Sequence, residues 1–490
     1  MKRRKFLSSV TKSVAVTLVA GGVMNKAYAQ QKDTPWQVHQ FKDNGLAHFS
    51  YAILVGNKII LVDPARDASQ YYRFAKEQNA TITGIIETHP HADFVSSHVE
   101  IAQKTGAVIY TSSLMKPAYA YHAFDEGDIL RLSDDVVLRS LFTPGHAPDA
   151  ISIVLSEKGK DKIVFTGDSL LIGDVGRPDL REYSGDVASQ RKRLAGLMYQ
   201  TLWKKFDPLA DDVTVYPAHG AGSLCGKNMR DAPSSTIGYE KANNYAFKKM
   251  EEAAFVSLLL QDLPPVPFYF PYDVSLNIKG APALEQSLAQ VKKLPDNFKS
   301  SANDLVIDTR TASVFKASYA PGAYNLQNGS KFETWLGSVI APDKHFYLVA
   351  DSAKSLAEVL NKTAKIGYES KVAGAFVYNE ANGNRFATFD AAQFEKDHAA
   401  YTIIDVRTAK EATTDKIFDH AVNIPVSDLE KHIKDIPTDK PIIVHCASGY
   451  RSALGSSILK KYLPSVEITD IGTDISKYLT KEQKEQHGGK

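Results

Sequence analysis

Short apolar runs separated by turn-forming residues dominate the chain from Ala47 to about Pro217. Tyr51–Val55 and Lys58–Val62 flank Gly56-Asn57, a pattern that predicts two strands joined by a tight turn. Ile85-Ile86, Val108–Tyr110, Val136–Phe142, Ile151–Leu155, Ile163–Phe165 and Val213–Tyr216 continue the series. A helix is predicted over Asp186–Phe206, where Leu194, Leu197, Met198 and Leu202 recur at helical spacing. Polar residues stand just past the ends of several of these strands, where layered α/β folds build their sites. Leu263-Pro264-Pro265-Val266-Pro267 and the aromatic residues after it then read as a semi-rigid linker.

The pattern beyond the linker repeats. Asp304–Arg310 and Tyr401–Arg407 are both apolar strands ending in Asp-x-Arg. Each is followed by a matching stretch, Gly322–Leu326 and His420–Pro425, and then by another apolar strand, Phe346–Val349 and Ile442–Val444. The offset from Asp308 to Asp405 is 405 − 308 = 97 residues, too long for a solenoid unit and right for a duplicated domain.

A length of 490 residues exceeds one hydrophobic core and implies two to four domains. With 43% hydrophobic and 23% charged residues, no long stretch has the composition of a disordered tract. The start is different. Lys2, Arg3, Arg4 and Lys5 precede a modestly apolar run, Ser13–Met24, and an Ala27-Tyr28-Ala29 cleavage pattern. Arg3-Arg4-Lys5-Phe6-Leu7 resembles the twin-arginine export signal, so residues 1–29 are expected to be a signal peptide and the mature protein periplasmic. The run is too short and too rich in Gly and Thr to span a bilayer well, so no stable membrane insertion is expected. The segment carries six basic and no acidic residues, which leaves the mature chain at +2 − 6 = −4 and gives no basic face for nucleic acid. There are two cysteines, Cys225 and Cys446, and their local contexts argue against a disulfide between them.

Four strand ends carry metal-binding chemistry. They are Thr88-His89-Pro90-His91-Ala92-Asp93-Phe94 with His98 beyond it, Thr143-Pro144-Gly145-His146, Thr166-Gly167-Asp168 and Tyr216-Pro217-Ala218-His219. Imidazole and carboxylate groups converging from several loops suit one first-row metal ion. These segments are similar to the successive motifs of the metallo-β-lactamase superfamily, over about Val38 to Ala253. Gly173–Asp179 and Gly220–Gly226 resemble the persulfide dioxygenase branch. Hydrolases of the superfamily usually carry His where this chain has Phe94, and a phenyl ring cannot ligate. The resemblance therefore implies one Fe(II) per chain, held by His89, His146 and Asp168, with open positions for persulfide and O₂. It leaves His91, Asp93 and His219 to orient ligands or hydrogen-bond bound oxygen, or to be scaffold polar groups. Arg177 either pairs with an anionic substrate or forms an ion pair with Asp179. Tyr216 lies in the same region as a candidate substrate contact. Cys225 carries a persulfide, senses redox state or is a packed thiol.

Ile442–Ser452 reads as an apolar strand, a tight loop and a helix start. Backbone N–H groups, a helix N-terminus and a nearby arginine supply the positive potential that a Cys446 thiolate needs. Cys446-x-x-Gly449-x-Arg451 resembles the active loop of rhodaneses, with Cys446 as nucleophile and Arg451 able to hold the sulfonate-like end of thiosulfate. In the middle repeat Asp351 stands where that cysteine would be. A carboxylate cannot carry a persulfide, which leaves this domain as spacer, docking surface or remnant.

The expected fold is thus α/β: an N-terminal αββα metallo-β-lactamase fold (30–262), a linker (263–296), a rhodanese-like domain lacking its cysteine (297–380) and a catalytic rhodanese domain (385–483). The implied activity is oxidation of a low-molecular-weight persulfide by O₂ to sulfite and thiol, coupled to sulfane-sulfur transfer to or from sulfite or thiosulfate. Two rivals stay open: a zinc thioester hydrolase resembling glyoxalase II, and a non-enzymatic sulfur carrier. Homo-oligomerisation is left open.

Overall fold

The computed structural model describes residues 35–181 and 186–487. The export-signal reading falls on residues 1–29 and lies outside them. No helix among the described residues is long and apolar enough to cross a membrane.

The N-terminal region forms two six-stranded sheets. The first runs in order β1 (Trp36–Asp43), β2 (His48–Val55), β3 (Lys58–Val62), β4 (Thr81–Ile86), β5 (Val108–Thr111) and β6 (His122–Ala123). The second is the row β12 (Ser235–Thr236), β11 (Thr214–Pro217), β10 (Lys160–Gly167), β9 (Ile151–Glu157), β8 (Val136–Phe142) and β7 (Ile129–Arg131). Strand side chains alternate between faces, so each sheet has two faces to bury. Tyr51, Ile53, Ile60 and Val62 meet Leu138, Ile153, Leu155 and Phe165 between the sheets. The outer face of the first sheet packs on the helices Ser69–Glu77 and His98–Thr105, through Tyr71, Ala75 and Ile101. The outer face of the second packs on Val187–Thr201 and Glu252–Leu260 through Ala195, Met198, Phe255 and Leu259. These layers make the αββα sandwich. The helix expected over Asp186–Phe206 is α-helical to Thr201 and ends in a π turn, Leu202–Phe206; Asp186 is its N-cap, accepting from the Ser189 N–H.

The segment 263–296 is more structured than its proline content suggests. It holds the helices Phe270–Lys279 and Leu284–Ala289. Pro271 falls in the first helical turn, where its missing N–H costs nothing. Phe270 and Val274 are buried in a core shared with the later domains.

Two parallel four-stranded sheets follow. One is ordered β14 (Ala323–Asn325), β13 (Val306–Asp308), β15 (Phe346–Ala350), β16 (Val372–Val377). The other is ordered β18 (Val422–Asn423), β17 (Thr402–Asp405), β19 (Ile442–His445), β20 (Ile468–Asp470). The sequence repeat is therefore a repeat of topology. The Asp-x-Arg signature is a buried ion pair in both copies: Arg310 Nη2 lies 2.6 Å from Asp308 Oδ2, and Arg407 Nη2 lies 2.6 Å from Asp405 Oδ2.

Candidate functional site

The loops after β4, β8, β10 and β11 bring His89, His146, Asp168 and His219 together at one end of the sandwich. Each of these side chains is buried. His146 Nε2 lies 3.5 Å and His89 Nε2 3.8 Å from Asp168 Oδ2. Such spacings suit ligands around one ion, since metal–ligand bonds of about 2.1 Å at tetrahedral or wider angles separate donor atoms by roughly 3.5 Å.

The rest of each ring is committed elsewhere. His146 Nδ1 lies 2.9 Å from the Arg177 carbonyl and donates to it, which leaves Nε2 as the lone-pair nitrogen. Thr88 donates its hydroxyl to Asp63 at 2.8 Å and so accepts from His89 Nδ1 at 3.0 Å. His89 Nε2 has no hydrogen-bond partner and faces the Asp168 carboxylate. Burial and neighbouring imidazoles hold His89 well below the usual histidine range, so it is a neutral donor. Gly176 is required at this place: a Cβ would meet the Asp168 carbonyl at 2.2 Å and His146 Nδ1 at 2.7 Å.

His219 sits between two carboxylates, Nδ1 2.8 Å from Asp168 Oδ1 and Nε2 2.8 Å from Asp93 Oδ2. Burial opposes its charge, yet Asp168 and Asp93 hold it well above the usual histidine range. Asp168 is likewise driven well below the carboxylate range by His219 and the other imidazoles, against the penalty of burial. Ligand atoms form three close groupings among the described residues: the first is His89, His91 and Asp168, the second His91, Asp93 and His219, and the third His146, Asp168 and Cys225. Phe94 lies tilted against His48 at 3.9 Å and against His91 at 4.4 Å between ring centroids, filling the place beside that second grouping. His91 leans on Asp63, at 3.4 Å.

Of the other candidate residues, Arg177 forms the ion pair with Asp179, and its buried Nη1 has no hydrogen-bond partner among the described residues. Its guanidinium is buried in a two-point pair with Asp179, both contacts 2.6 Å, and donates to the Pro264 carbonyl. Tyr216 packs among Tyr51 and Phe165, on the sheet rather than with the four ligand-bearing loops. Cys225 is buried with its sulfur in a close grouping with His146 and Asp168. Burial and then the Asp93 and Asp168 carboxylates push its thiol up. The segment Gly173–Asp179 meets the loop after His219: the Arg177 N–H donates to the Cys225 carbonyl at 2.9 Å, and Asp174 accepts from the Lys227 and Asn228 N–H groups at 2.6 Å.

Several supporting residues escaped the sequence reading. Asn277, on the first connector helix, donates to the carbonyls of His91 and Phe94 at 2.8 Å and accepts from the Ser96 N–H at 2.8 Å. The Val95 N–H is satisfied by the Lys365 carbonyl, from the middle repeat, at 2.8 Å. Buried loop backbone must be paired, and here the partners come from outside the N-terminal sandwich. Arg181 pairs with Asp149 at 3.0 and 2.8 Å beside His89. Asp63 ends an apolar strand, a signal open to reading; Asn277 and Arg181 carry none.

The second site is the loop between β19 and the helix Tyr450–Tyr462. Cys446 is 1% exposed, and the Gly449 N–H donates to its sulfur at 3.1 Å. Gly449 has φ +99, and a Cβ there would press on the Gly472 carbonyl carbon at 2.9 Å. Arg451 makes a two-point pair with Glu411, both contacts 2.7 Å. Glu411 also accepts from the Thr408 N–H in a capping box that starts the helix Ala409–Thr414. The Tyr450 hydroxyl donates to the Gln327 carbonyl of the middle repeat at 2.8 Å.

This architecture defines a protein with an N-terminal metallo-β-lactamase fold and a C-terminal rhodanese-like domain. The metallo-beta-lactamase superfamily model matches residues 43–201, and the rhodanese-like domain model matches residues 389–477. The chain is similar to the hydroxyacylglutathione hydrolase GloC of Haemophilus influenzae, 28% identical over 35% of this chain and 85% of that protein. It is similar to the mitochondrial persulfide dioxygenase ETHE1 of Homo sapiens, 26% identical over 35% of this chain; it spans 63% of that protein's length. The crystal structure of a metallo-beta-lactamase from Staphylococcus aureus subsp. aureus COL superposes with a TM-score of 0.62 at 28% identity, covering 70% of this chain and 99% of that one. That share exceeds the N-terminal sandwich, so the likeness extends into the domains beyond it.

Proposed function

We propose that this protein is a non-haem iron persulfide dioxygenase coupled to a sulfurtransferase. The overall N-terminal reaction is RSSH + O₂ + H₂O → RSH + SO₃²⁻ + 2H⁺. The observation that carries the reading is the ligand set: two neutral imidazoles and one ionised carboxylate converge, while Phe94 replaces the histidine that a second ion needs. Iron bound there would coordinate the persulfide sulfur and activate dioxygen. His89 Nε2, His146 Nε2 and Asp168 would hold it. The Arg177 carbonyl and Thr88 fix the two imidazole tautomers. His219 keeps a proton between Asp93 and Asp168, and Phe94 with His48 closes one wall with apolar and aromatic surface. At the second site Cys446 attacks a sulfane sulfur and exchanges it with thiols, sulfite or thiosulfate. Export to the periplasm through residues 1–29 is part of the proposal.

The likeness to hydroxyacylglutathione hydrolases, together with the close grouping of His91, Asp93 and His219, supports a second reading: a zinc thioester hydrolase. Oxygen-electrode assays on iron-loaded protein with glutathione persulfide test the first. Stoichiometric O₂ uptake and sulfite release are expected. Anaerobic hydrolysis of an acyl-glutathione without O₂ uptake would replace it with the second.

A further inference from the structure

The Cys446 loop contains one basic side chain, Arg451, and it is already engaged. Its Nη1 and Nη2 face the two oxygens of Glu411 at 2.7 Å each, a bidentate geometry that neutralises the guanidinium charge locally. The next cation inward, Arg407, is bound to Asp405 at 2.6 Å and lies 3.6 Å from Asp415. His445, behind the nucleophile, is held neutral by burial, its value lowered to about 4. Each of these guanidinium groups is thus matched by carboxylate, Arg451 by Glu411 and Arg407 by Asp405 and Asp415, and Lys316 of the middle repeat, beside Gly472, is held by Asp470 at 2.7 Å. What favours an anion at the sulfur is chiefly backbone: the Gly449 N–H at 3.1 Å and the start of the helix Tyr450–Tyr462.

Resting on the sulfurtransfer reading above, we propose that Glu411 sets donor specificity: by occupying Arg451 it disfavours donors ending in a sulfonate, such as thiosulfate, and leaves organic persulfides as the preferred sulfur source. The step balances without a redox partner. The Cys446 thiolate attacks the outer sulfur of RSSH, a Cys446–S bond forms, the RS–S bond breaks, and RS⁻ leaves with the electron pair and takes the proton, giving RSH and a Cys446 persulfide. Transfer to an acceptor thiol runs the same exchange in reverse.

Glu411→Gln is the discriminating variant. Glutamine satisfies a capping box as glutamate does, so the start of the helix Ala409–Thr414 is kept while the charge is removed. Sulfur loading of Cys446 is followed without O₂ by intact mass and by steady-state transfer to cyanide, read as thiocyanate, with glutathione persulfide or thiosulfate as donor. The wild type is expected to favour the persulfide in kcat/KM by about tenfold or more. In E411Q that ratio is expected to fall about tenfold, through a lower KM for thiosulfate, whereas Glu411→Asp keeps the wild-type preference. Equal use of both donors by the wild type, or a parallel loss with both donors in E411Q, overturns the proposal and makes Glu411 a brace of the loop. Failure of wild-type Cys446 to take sulfur from either donor overturns the sulfurtransfer reading itself.

Discussion

The middle and last repeats share a sheet order and a buried Asp-x-Arg pair, yet they end in different chemistry. In the middle repeat, β15 ends at Ala350 and its helix starts at Ala353, leaving Asp351 and Ser352 between them. In the last repeat, β19 ends at His445 and the helix starts at Tyr450, leaving Cys446 to Gly449. Those two further residues let the chain curl so that the Gly449 N–H points back at the sulfur. Asp351 instead lies exposed, lowered by the Ser355 and Ser352 hydroxyls, with Ser352 capping the helix. The scaffold is common to both copies, and the chemistry resides in the length and curl of one loop.

The largest expected effect breaks that comparison directly. Cys446→Ser abolishes sulfur transfer, by about a thousandfold or more, and leaves persulfide-dependent O₂ uptake intact. Asp351→Cys does not install transfer in the middle repeat, because its loop is two residues shorter and does not make the curl that Gly449 makes. Sulfur loading followed by mass spectrometry checks both. Next, His146→Ala lowers iron affinity or O₂ uptake by about a hundredfold or more while transfer at Cys446 continues; metal analysis and paired assays check this. If both activities vanish together in either folded variant, the two centres are not separable.

Arg310→Ala and Arg407→Ala each leave a buried aspartate unpaired and are expected to cost about 3–5 kcal/mol, similarly in the two repeats, measured by urea unfolding. The smallest effect is in acid. The Arg451 pair holds Glu411 at about 2, from an ordinary 4.5, against the penalty of burial. A carboxyl lowered on folding stabilises above its unfolded value and loses that contribution as pH falls through the folded one. Wild type therefore loses stability between about pH 4.5 and pH 2 in a way that E411Q does not, as thermal unfolding across that range can show.

Much of this was legible in the chain. Strands such as Tyr51–Val55 and Val136–Phe142 announce themselves because apolar runs bounded by turn residues have few other uses. The ligand-bearing loops follow those strands immediately, so motif and fold were read together. The connector helix Phe270–Lys279 was hidden because Pro265, Pro267 and Pro271 dominate local propensity, while its burial against the N-terminal sandwich and the middle repeat decides its structure. Asn277, Arg181 and Glu411 were invisible for one reason: each acts across a long sequence separation, 186 residues from Asn277 to His91 and 40 from Arg451 to Glu411. Arg177 was left open between two partners, and the structure pairs it with Asp179.

The central claim, a single iron held by His89, His146 and Asp168, is tested most directly by metal content measured alongside O₂ consumption with glutathione persulfide. About one iron per chain, with sulfite formed in step with O₂ consumed, is expected. A filled two-zinc centre that hydrolyses thioesters without O₂ would contradict it.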